Sequence, residues 1–382
     1  MAEPYNTPVP GSTPRSGSPV PHPPRHPTLV GTSEPKPRVL HLGDPIRFNH
    51  DTFELLSSQY EVVRPSADER QRAPFIQGLR AGKWGSFQAM FRPSWRTGGE
   101  MGRWDDELIA LLPSSVRVFA SAGAGYDWVE TKLLGERGII YCNGGAAAAD
   151  AVADLAVAMV ISTFRRIPWC VAAATAGSPS AFSACHLDSP AQCHNLRRRV
   201  LGIVGLGSIG QRVATRCRFG FDMDIRYFDT ERKPAAVERA LSAGFHESME
   251  SLLQAADCVV LCTPAAYGGG TLIDSSTLKH FPRGGRFVNV SRGALVNEDD
   301  LVAALETGRL SSVALDVHAN EPHVHQGLRR LAAEGRAMLT CHNGGGTVET
   351  HEAFEELSMR NVLAVLGGGP ALSAVNMGDL KK

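Results

Sequence analysis

Three side chains of the types that can reduce a ketone, Arg292, Glu321 and His342, each lie at the end of an apolar run. Arg292 stands in Phe287-Val288-Asn289-Val290-Ser291-Arg292-Gly293-Ala294-Leu295-Val296, Glu321 follows Ser311–Val317, and His342 closes Ala337-Met338-Leu339-Thr340-Cys341. The runs have the composition of buried strands, so the pattern predicts an arginine, a carboxylate and an imidazole at corresponding ends of one sheet. A guanidinium fork matches a planar carboxylate and polarises a carbonyl beside it. Imidazole titrates near neutrality and can protonate a developing alkoxide, and a partner carboxylate would hold the ring and favour its charged form. Taken singly, Arg292 reads as a surface ion pair and His342 as a structural histidine. Taken together they read as the machinery for reducing a 2-oxo acid. His318, His323 and His325 invite a metal site with His342, but they lack a helical i, i+4 pair or cysteine support, and no metal is expected.

A hydride donor has its own signature. Val200-Leu201-Gly202-Ile203-Val204 runs into Gly205-Leu206-Gly207-Ser208-Ile209-Gly210 and then into the helical Gln211–Arg216, which is the strand–turn–helix context that GxGxxG requires. Gly205 permits the tight turn, Gly207 lets the backbone approach a pyrophosphate, and Gly210 lets helix and strand pack closely. The helix start, with Ser208 and Ile209, supplies N–H groups to phosphates. Asp229 ends the next predicted strand, Ile225–Phe228, 19 residues past Gly210, where a carboxylate can accept bonds from ribose hydroxyls. It would repel a 2'-phosphate, so NAD is expected, with NADP open if Arg232 turns back; the alternative is that Asp229 merely ends a strand. Asp257–Thr263 predicts another strand, placing Thr263 and Pro264 beside the nicotinamide ribose, or else in a plain proline turn.

Alternating elements must position these groups. Strands are predicted at Arg38–Leu42, Glu61–Val63, Ala89–Phe91, Val116–Ala120 and Gly138–Tyr141, with helices at His50–Tyr60 and about 105–112. A second alternation runs from Arg199 to about Thr340, and a helix from about Thr350 to Leu366 closes the chain. Such alternation implies parallel sheets covered on both faces. Ala146–Phe164 predicts a buried helix, apolar nearly all round, stopped by Pro168. From Cys170 to Asn195 the periodicity is poor, and helix fragments with a loop are expected. Residues 1–37 are Pro- and Ser-rich and read as a disordered tail.

The 382 residues allow two domains. Lys+Arg and Asp+Glu both total 39, so no overall field favours nucleic acid or an anionic membrane, and a small-molecule partner is expected. Eight cysteines without a CxxC pair read as reduced thiols, and cytoplasmic residence is expected. No apolar stretch long enough to span a bilayer is expected, nor a secretory signal. Arg15 and Arg25 admit a matrix-targeting leader, which the many prolines around them oppose.

From about residue 38 the chain resembles the D-isomer-specific 2-hydroxyacid dehydrogenase family, nearest to fungal members such as D-mandelate dehydrogenase. The resemblance is carried by Gly123-Ala124-Gly125-Tyr126-Asp127, the Gly205–Gly210 turn, Val290-Ser291-Arg292-Gly293, Ala314-Leu315-Asp316-Val317 with Glu321-Pro322, and His342 with its glycines. It implies catalytic Arg292, Glu321 and His342, a carboxamide-binding Asp316, and substrate-carboxylate amides at Ala124 and Gly125. It implies an α/β fold of two doubly wound parallel-sheet domains. A flavodoxin-like substrate domain (38–146 and 350–382) would receive a Rossmann NAD-binding domain (147–349) as an insert, with the alanine-rich helix as hinge and 170–196 contributing to a homodimer. The implied reaction is NAD(P)H-dependent reduction of a 2-oxo acid to the D-2-hydroxy acid. The alternatives are a glyoxylate/hydroxypyruvate reductase specifically, or an NADH-sensing protein like the family's corepressors. Glu321 argues against the formate dehydrogenase branch. Gly144-Gly145-Ala146-Ala147-Ala148-Ala149 departs from the proline and hydroxyl residue common in relatives, and Tyr267-Gly268-Gly269-Gly270 loosens the turn after Pro264. Tyr126, Trp128, Phe91 and Trp95 are candidates to line a substrate pocket, or equally to be core.

Overall fold

The computed structural model describes residues 35–265 and 270–381. Residues 1–34 of the tail and the Tyr267–Gly269 part of the loosened turn therefore lie outside the described residues. Among those described, the chain builds two sheets, both wholly parallel. The first contains β1 (Arg38–His41), β2 (Glu61–Val63), β3 (Phe87–Arg92), β4 (Val118–Ser121) and β5 (Ile140–Cys142), in the order β2-β1-β3-β4-β5. The second contains β6 (Val200–Val204), β7 (Asp224–Phe228), β8 (Ala243–Phe245), β9 (Cys258–Leu261), β10 (Gly285–Asn289), β11 (Leu310–Leu315) and β12 (Ala337–Leu339), in the order β12-β11-β10-β9-β6-β7-β8. These are the flavodoxin-like and Rossmann orders, as the fold expectation had it. Strand order reverses beside β1 in the first sheet and beside β6 in the second, and a reversal opens a crevice at the carboxyl ends of the strands.

Parallel strands are apolar on both faces because helices cover both. In β4, Phe119 packs into a cluster with Trp104, Phe75 and Tyr141, while Val118 and Ala120 face Met359, Val362 and Val365 of the closing helix, Val348–Leu366. The C-terminal helix is thus part of the first sheet's core, where each fully buried side chain contributes about 1.5–3 kcal/mol. Asn376, 1 % exposed, ties the chain end down by receiving the Tyr141 N–H and donating to the Thr131 and Ile139 carbonyls.

The helix Gly145–Arg165 joins the sheets, and its Val152, Ala156 and Val160 pack on the second sheet beside Val213 and Cys217 of the helix Ser208–Phe221. Contrary to expectation, it is long and apolar enough to cross a membrane by length and composition. Its placement accounts for that composition, since 61 % of its most apolar stretch is buried within the protein.

Four further details differ from the sequence reading. The long helix ends at Arg165, with Arg166 left-handed (φ 49°), and a new helix, Ile167–Thr175, carries Pro168 in its first turn, where its missing N–H costs nothing. The segment beyond is a second helix, Pro179–Gln192, capped by Ser178, not fragments and a loop. Helices Arg72–Arg80 and Thr131–Glu136 were not anticipated. The strand carrying Arg292 stops at Asn289, because the Asn289 side chain accepts the Ser291 N–H at 2.9 Å and donates to the Arg292 carbonyl at 3.0 Å, turning the chain out of the sheet.

Candidate active site

The carboxyl ends of the second sheet carry every candidate cofactor residue. Gly205, at φ 92°, turns the chain after β6; a Cβ there would stand 2.9 Å from the Thr263 backbone. A Cβ at Gly210 would meet the Gly205 carbonyl at 2.2 Å, whereas one at Gly207 would meet nothing within 4 Å. Gly205 and Gly210 are therefore required by packing, and Gly207 leaves its backbone open to an approaching group. The helix that starts at Ser208 has no side-chain cap, so its first N–H groups keep their capacity for phosphate oxygens. Leu206 N–H donates to Asp229 at 2.8 Å, and Lys233 pairs with the same carboxylate at 2.9 Å. Burial opposes ionisation of Asp229, but Lys233 and the Leu206 amide outweigh it and hold the carboxyl below its usual range. Arg232 does not turn back toward the ribose position: Glu238 holds it by two bonds, at 2.9 and 3.0 Å. The Thr263 carbonyl receives the Ser291 hydroxyl, and Pro264 is exposed beside it. These residues fit a dinucleotide.

His342 follows β12 in the left-handed region, at φ 52°. Asp316, just past β11 and 2 % exposed, fixes that conformation. Its carbonyl accepts the His342 N–H at 2.7 Å, and its carboxylate accepts the Thr340 hydroxyl at 2.6 Å, the Asn343 N–H at 2.7 Å and the Gly344 N–H at 2.8 Å. The imidazole Nδ1 stands 2.9 Å from Glu321 Oε2, while Glu321 Oε1 accepts the His318 N–H at 2.9 Å. Burial raises the Glu321 pKa, but the bonds from His342 and His318 more than reverse this, leaving the carboxyl lower than an ordinary glutamate. An ionised carboxylate only accepts, so Nδ1 carries a proton and Nε2 is the nitrogen left for substrate.

Arg292 joins the sheets. Its Nε donates to Asp127 at 2.9 Å and one terminal nitrogen to the Ser291 carbonyl at 2.8 Å, and the guanidinium lies so close to Gly125 that any side chain there would overlap it. Gly293 is packed just as tightly on the His318 backbone. Arg292 is thus linked to His342 through Gly293, His318 and Glu321 in one contact chain. The Ala124–Gly125 peptide sits in the loop after β4, held by Asn143 donating to the Ala124 carbonyl at 2.8 Å and Trp128 donating to the Gly125 carbonyl at 3.2 Å. Neither the Ala124 nor the Gly125 N–H has an acceptor among the described residues. Two N–H groups without acceptors and a guanidinium thus stand close together, a set of donors able to receive a carboxylate.

Asp127 and Asn143 were missed as positioning residues; the only sequence signal was Asp127's place in the Gly123–Asp127 run. Of the aromatic candidates, Phe91 is fully buried and stacks on His41 at 4.6 Å, whereas Trp95 is 43 % exposed. Trp95 donates its indole N–H to His351 Nε2 at 3.0 Å, and burial, then Arg96 and Arg47, lower the His351 pKa and keep that nitrogen free to accept. His351 in turn packs edge-on against Phe354, whose ring fills the space that a Cβ on Gly144 would need. Glycine at 144 is thus required by Phe354. His318 is buried between Thr340 and Glu298, and His325 caps a helix while facing Asp299; no metal-ligating group of three occurs among the described residues.

Residues 157–344 match the family model described as "D-isomer specific 2-hydroxyacid dehydrogenase, NAD binding domain". The chain is similar to the holo crystal structure of Rhodotorula graminis D-mandelate dehydrogenase, with a TM-score of 0.84 and 37 % identity over 90 % of this chain and 98 % of that one. It is 30 % identical to 4-methyl-2-oxopentanoate reductase A of Aspergillus oryzae over 80 % of this chain and 88 % of that protein. It is 31 % identical to glycerate dehydrogenase of Hyphomicrobium methylovorum over 69 % of this chain and 79 % of that protein.

The Glu321–His342 pair sets a pH signature. Because the folded carboxyl is lowered, its contribution to stability is complete above the ordinary glutamate range and is lost as pH falls through the lowered value. Denaturant titrations of wild type and Glu321→Gln are expected to differ at neutral pH and to converge in acid. The variant's kcat for a 2-oxo acid is expected to fall roughly 100-fold or more, since an amide cannot stabilise the imidazolium. Equal kcat values at neutral pH would sink the assignment.

Proposed function

The chain belongs to the D-isomer-specific 2-hydroxyacid dehydrogenase family and reduces 2-oxo acids with a nicotinamide cofactor, and from that premise we propose that Arg292, Glu321 and His342 carry the reaction, giving the D-2-hydroxy acid. The observation behind the proposal is the 2.9 Å pair between His342 and an ionised Glu321, on a loop anchored by buried Asp316. NADH, when bound, supplies the hydride. Arg292 and the Ala124 and Gly125 amides hold the substrate carboxylate and fix which carbonyl face is presented. Asp127 keeps the guanidinium turned toward Gly125. His342 gives its Nε2 proton to the carbonyl oxygen as the alkoxide forms, and Glu321 stabilises the charged ring before the transfer. In the reverse direction the same nitrogen takes the proton.

The Gly205 turn and Asp229 would hold the cofactor, and the ionised Asp229 favours NAD over NADP, because a 2'-phosphate would face a like charge. The exposed Trp95 and the row it forms with His351 and Phe354 favour a bulky apolar acid over glyoxylate. The substrate names of the mandelate and 4-methyl-2-oxopentanoate relatives agree with that preference. NADH oxidation with benzoylformate, 4-methyl-2-oxopentanoate, hydroxypyruvate and glyoxylate tests this. Turnover is expected to be best with the first two and to drop about 100-fold or more in His342→Ala. Asp229→Ser is expected to shift the NADPH/NADH preference about tenfold or more toward NADPH. Tight NADH binding without turnover of any acid would instead make the protein a sensor.

The same reading includes a homodimer formed through the Ile167–Thr175 and Pro179–Gln192 helices. They expose Ile167, Val171, Phe182 and Leu187 at 41, 54, 60 and 73 %, large apolar side chains that a second copy would cover. Sedimentation velocity is expected to show a dimer for wild type and a monomer for the Phe182→Glu, Leu187→Glu double variant. A wild-type monomer would contradict this.

A further inference from the structure

At the amino end of the second sheet, the edge opposite Gly205 and His342, the starts of β6, β9, β10 and β11 border a cavity of about 440 Å³. Arg166, Arg199, Arg283, Arg286 and His194 line it, against a single carboxylate, Asp257. Asp257 is already engaged: it accepts from Arg199 at 3.2 Å and from the Val200 N–H at 2.8 Å. Arg283 reaches the Thr307 carbonyl, and Arg166 the Gln192 side chain and, at 5.2 Å, the face of the Trp169 ring. Neither they nor Arg286 have a carboxylate partner among the described residues. Arg286 is 8 % exposed, its guanidinium lies 4.3 Å over the Phe164 ring, and its contact to the Gly284 carbonyl is a long 3.4 Å. Its Nε is buried with no hydrogen-bond partner, and so is the Nε of Arg166.

Burying a guanidinium without a counter-charge is costly, and doing so beside three further arginines compounds the cost. Burial, then Arg286 and Arg199, also push the His194 pKa down, a second sign of uncompensated positive charge. An anion in the cavity would supply both the missing charge and the missing acceptors. The cavity exceeds what a simple inorganic ion fills, and several guanidinium forks suit a tetrahedral oxyanion better than a single carboxylate. We propose that this cavity binds a small phosphate-bearing anion, at a site separate from the cofactor turn on the opposite edge of the sheet.

Calorimetric titration of the full chain, saturated with NADH so that the cofactor turn is filled, tests the proposal with inorganic pyrophosphate as probe and citrate as the carboxylate control. Saturable pyrophosphate binding is expected, tighter than that of citrate, and weakened about tenfold or more by Arg286→Gln, with 2-oxo acid turnover retained. Arg283→Gln, an exposed position that does not enter the core, is expected to weaken it in the same direction, and keeps the test open if the Arg286 variant misfolds. Absence of saturable binding to wild type, equal affinity for citrate, or unchanged affinity in Arg283→Gln would overturn the proposal. So would loss of self-association in the variants without any pyrophosphate binding to wild type, which would assign the arginines to carboxylates of a second copy.

Discussion

One buried carboxylate underlies the site. Asp316 gathers the Thr340 hydroxyl and the Asn343 and Gly344 amides, and its own carbonyl takes the His342 amide. The left-handed backbone of a non-glycine residue costs on the order of 1–3 kcal/mol. Hydrogen bonds to a charged acceptor are worth about 1.5–3 kcal/mol each, so three of them outweigh the strain. Without that carboxylate the chain after β12 would have no reason to present His342 to Glu321. Gly344 follows from the same demand, since a Cβ there would stand 3.0 Å from an Asp316 oxygen, and Gly346 is required next to it by the Asn343 side chain.

The two sheets divide the labour around this anchor. The second sheet brings the dinucleotide turn, Arg292, Glu321 and His342 to its carboxyl edge, where a change in strand order makes a crevice. The first sheet supplies the Ala124–Gly125 peptide and Asp127, and Arg292 spans the boundary by bonding to Asp127. A guanidinium already oriented by a carboxylate loses little freedom when substrate arrives, which is what positioning requires. Phe354, from the C-terminal helix, closes the same corner against Gly144, so the chain's last helix bears on the site as well as on the core.

Much of this was legible in the sequence because the determinants are local. The alternation of apolar runs gives the two parallel sheets, and the Gly205–Gly210 turn sits between a strand and a helix that identify it. What was illegible depends on distant partners. The Arg292–Asp127 bond joins residues 165 apart, and no pattern near either one announces it. The end of β10 at Asn289 is decided by a side chain capturing backbone groups, where composition alone suggested a strand running through Arg292. The helices Ile167–Thr175 and Pro179–Gln192 bury few residues, so they lack the one-sided apolar stripe from which helices are read. The joining helix shows the opposite failure: cores on its several sides made it apolar enough to resemble a membrane span.

The most direct test of the account is the kcat of Asp316→Asn for a 2-oxo acid, measured beside its thermal stability. The substitution keeps size and shape but turns an amide N–H either toward the Gly344 N–H or toward the Thr340 and Asn343 donors, which share the other oxygen. The account predicts that kcat falls at least about tenfold as the His342 loop loses its anchor. An unchanged kcat in a folded Asp316→Asn protein would contradict it, because His342 would then be held in place by something other than this carboxylate.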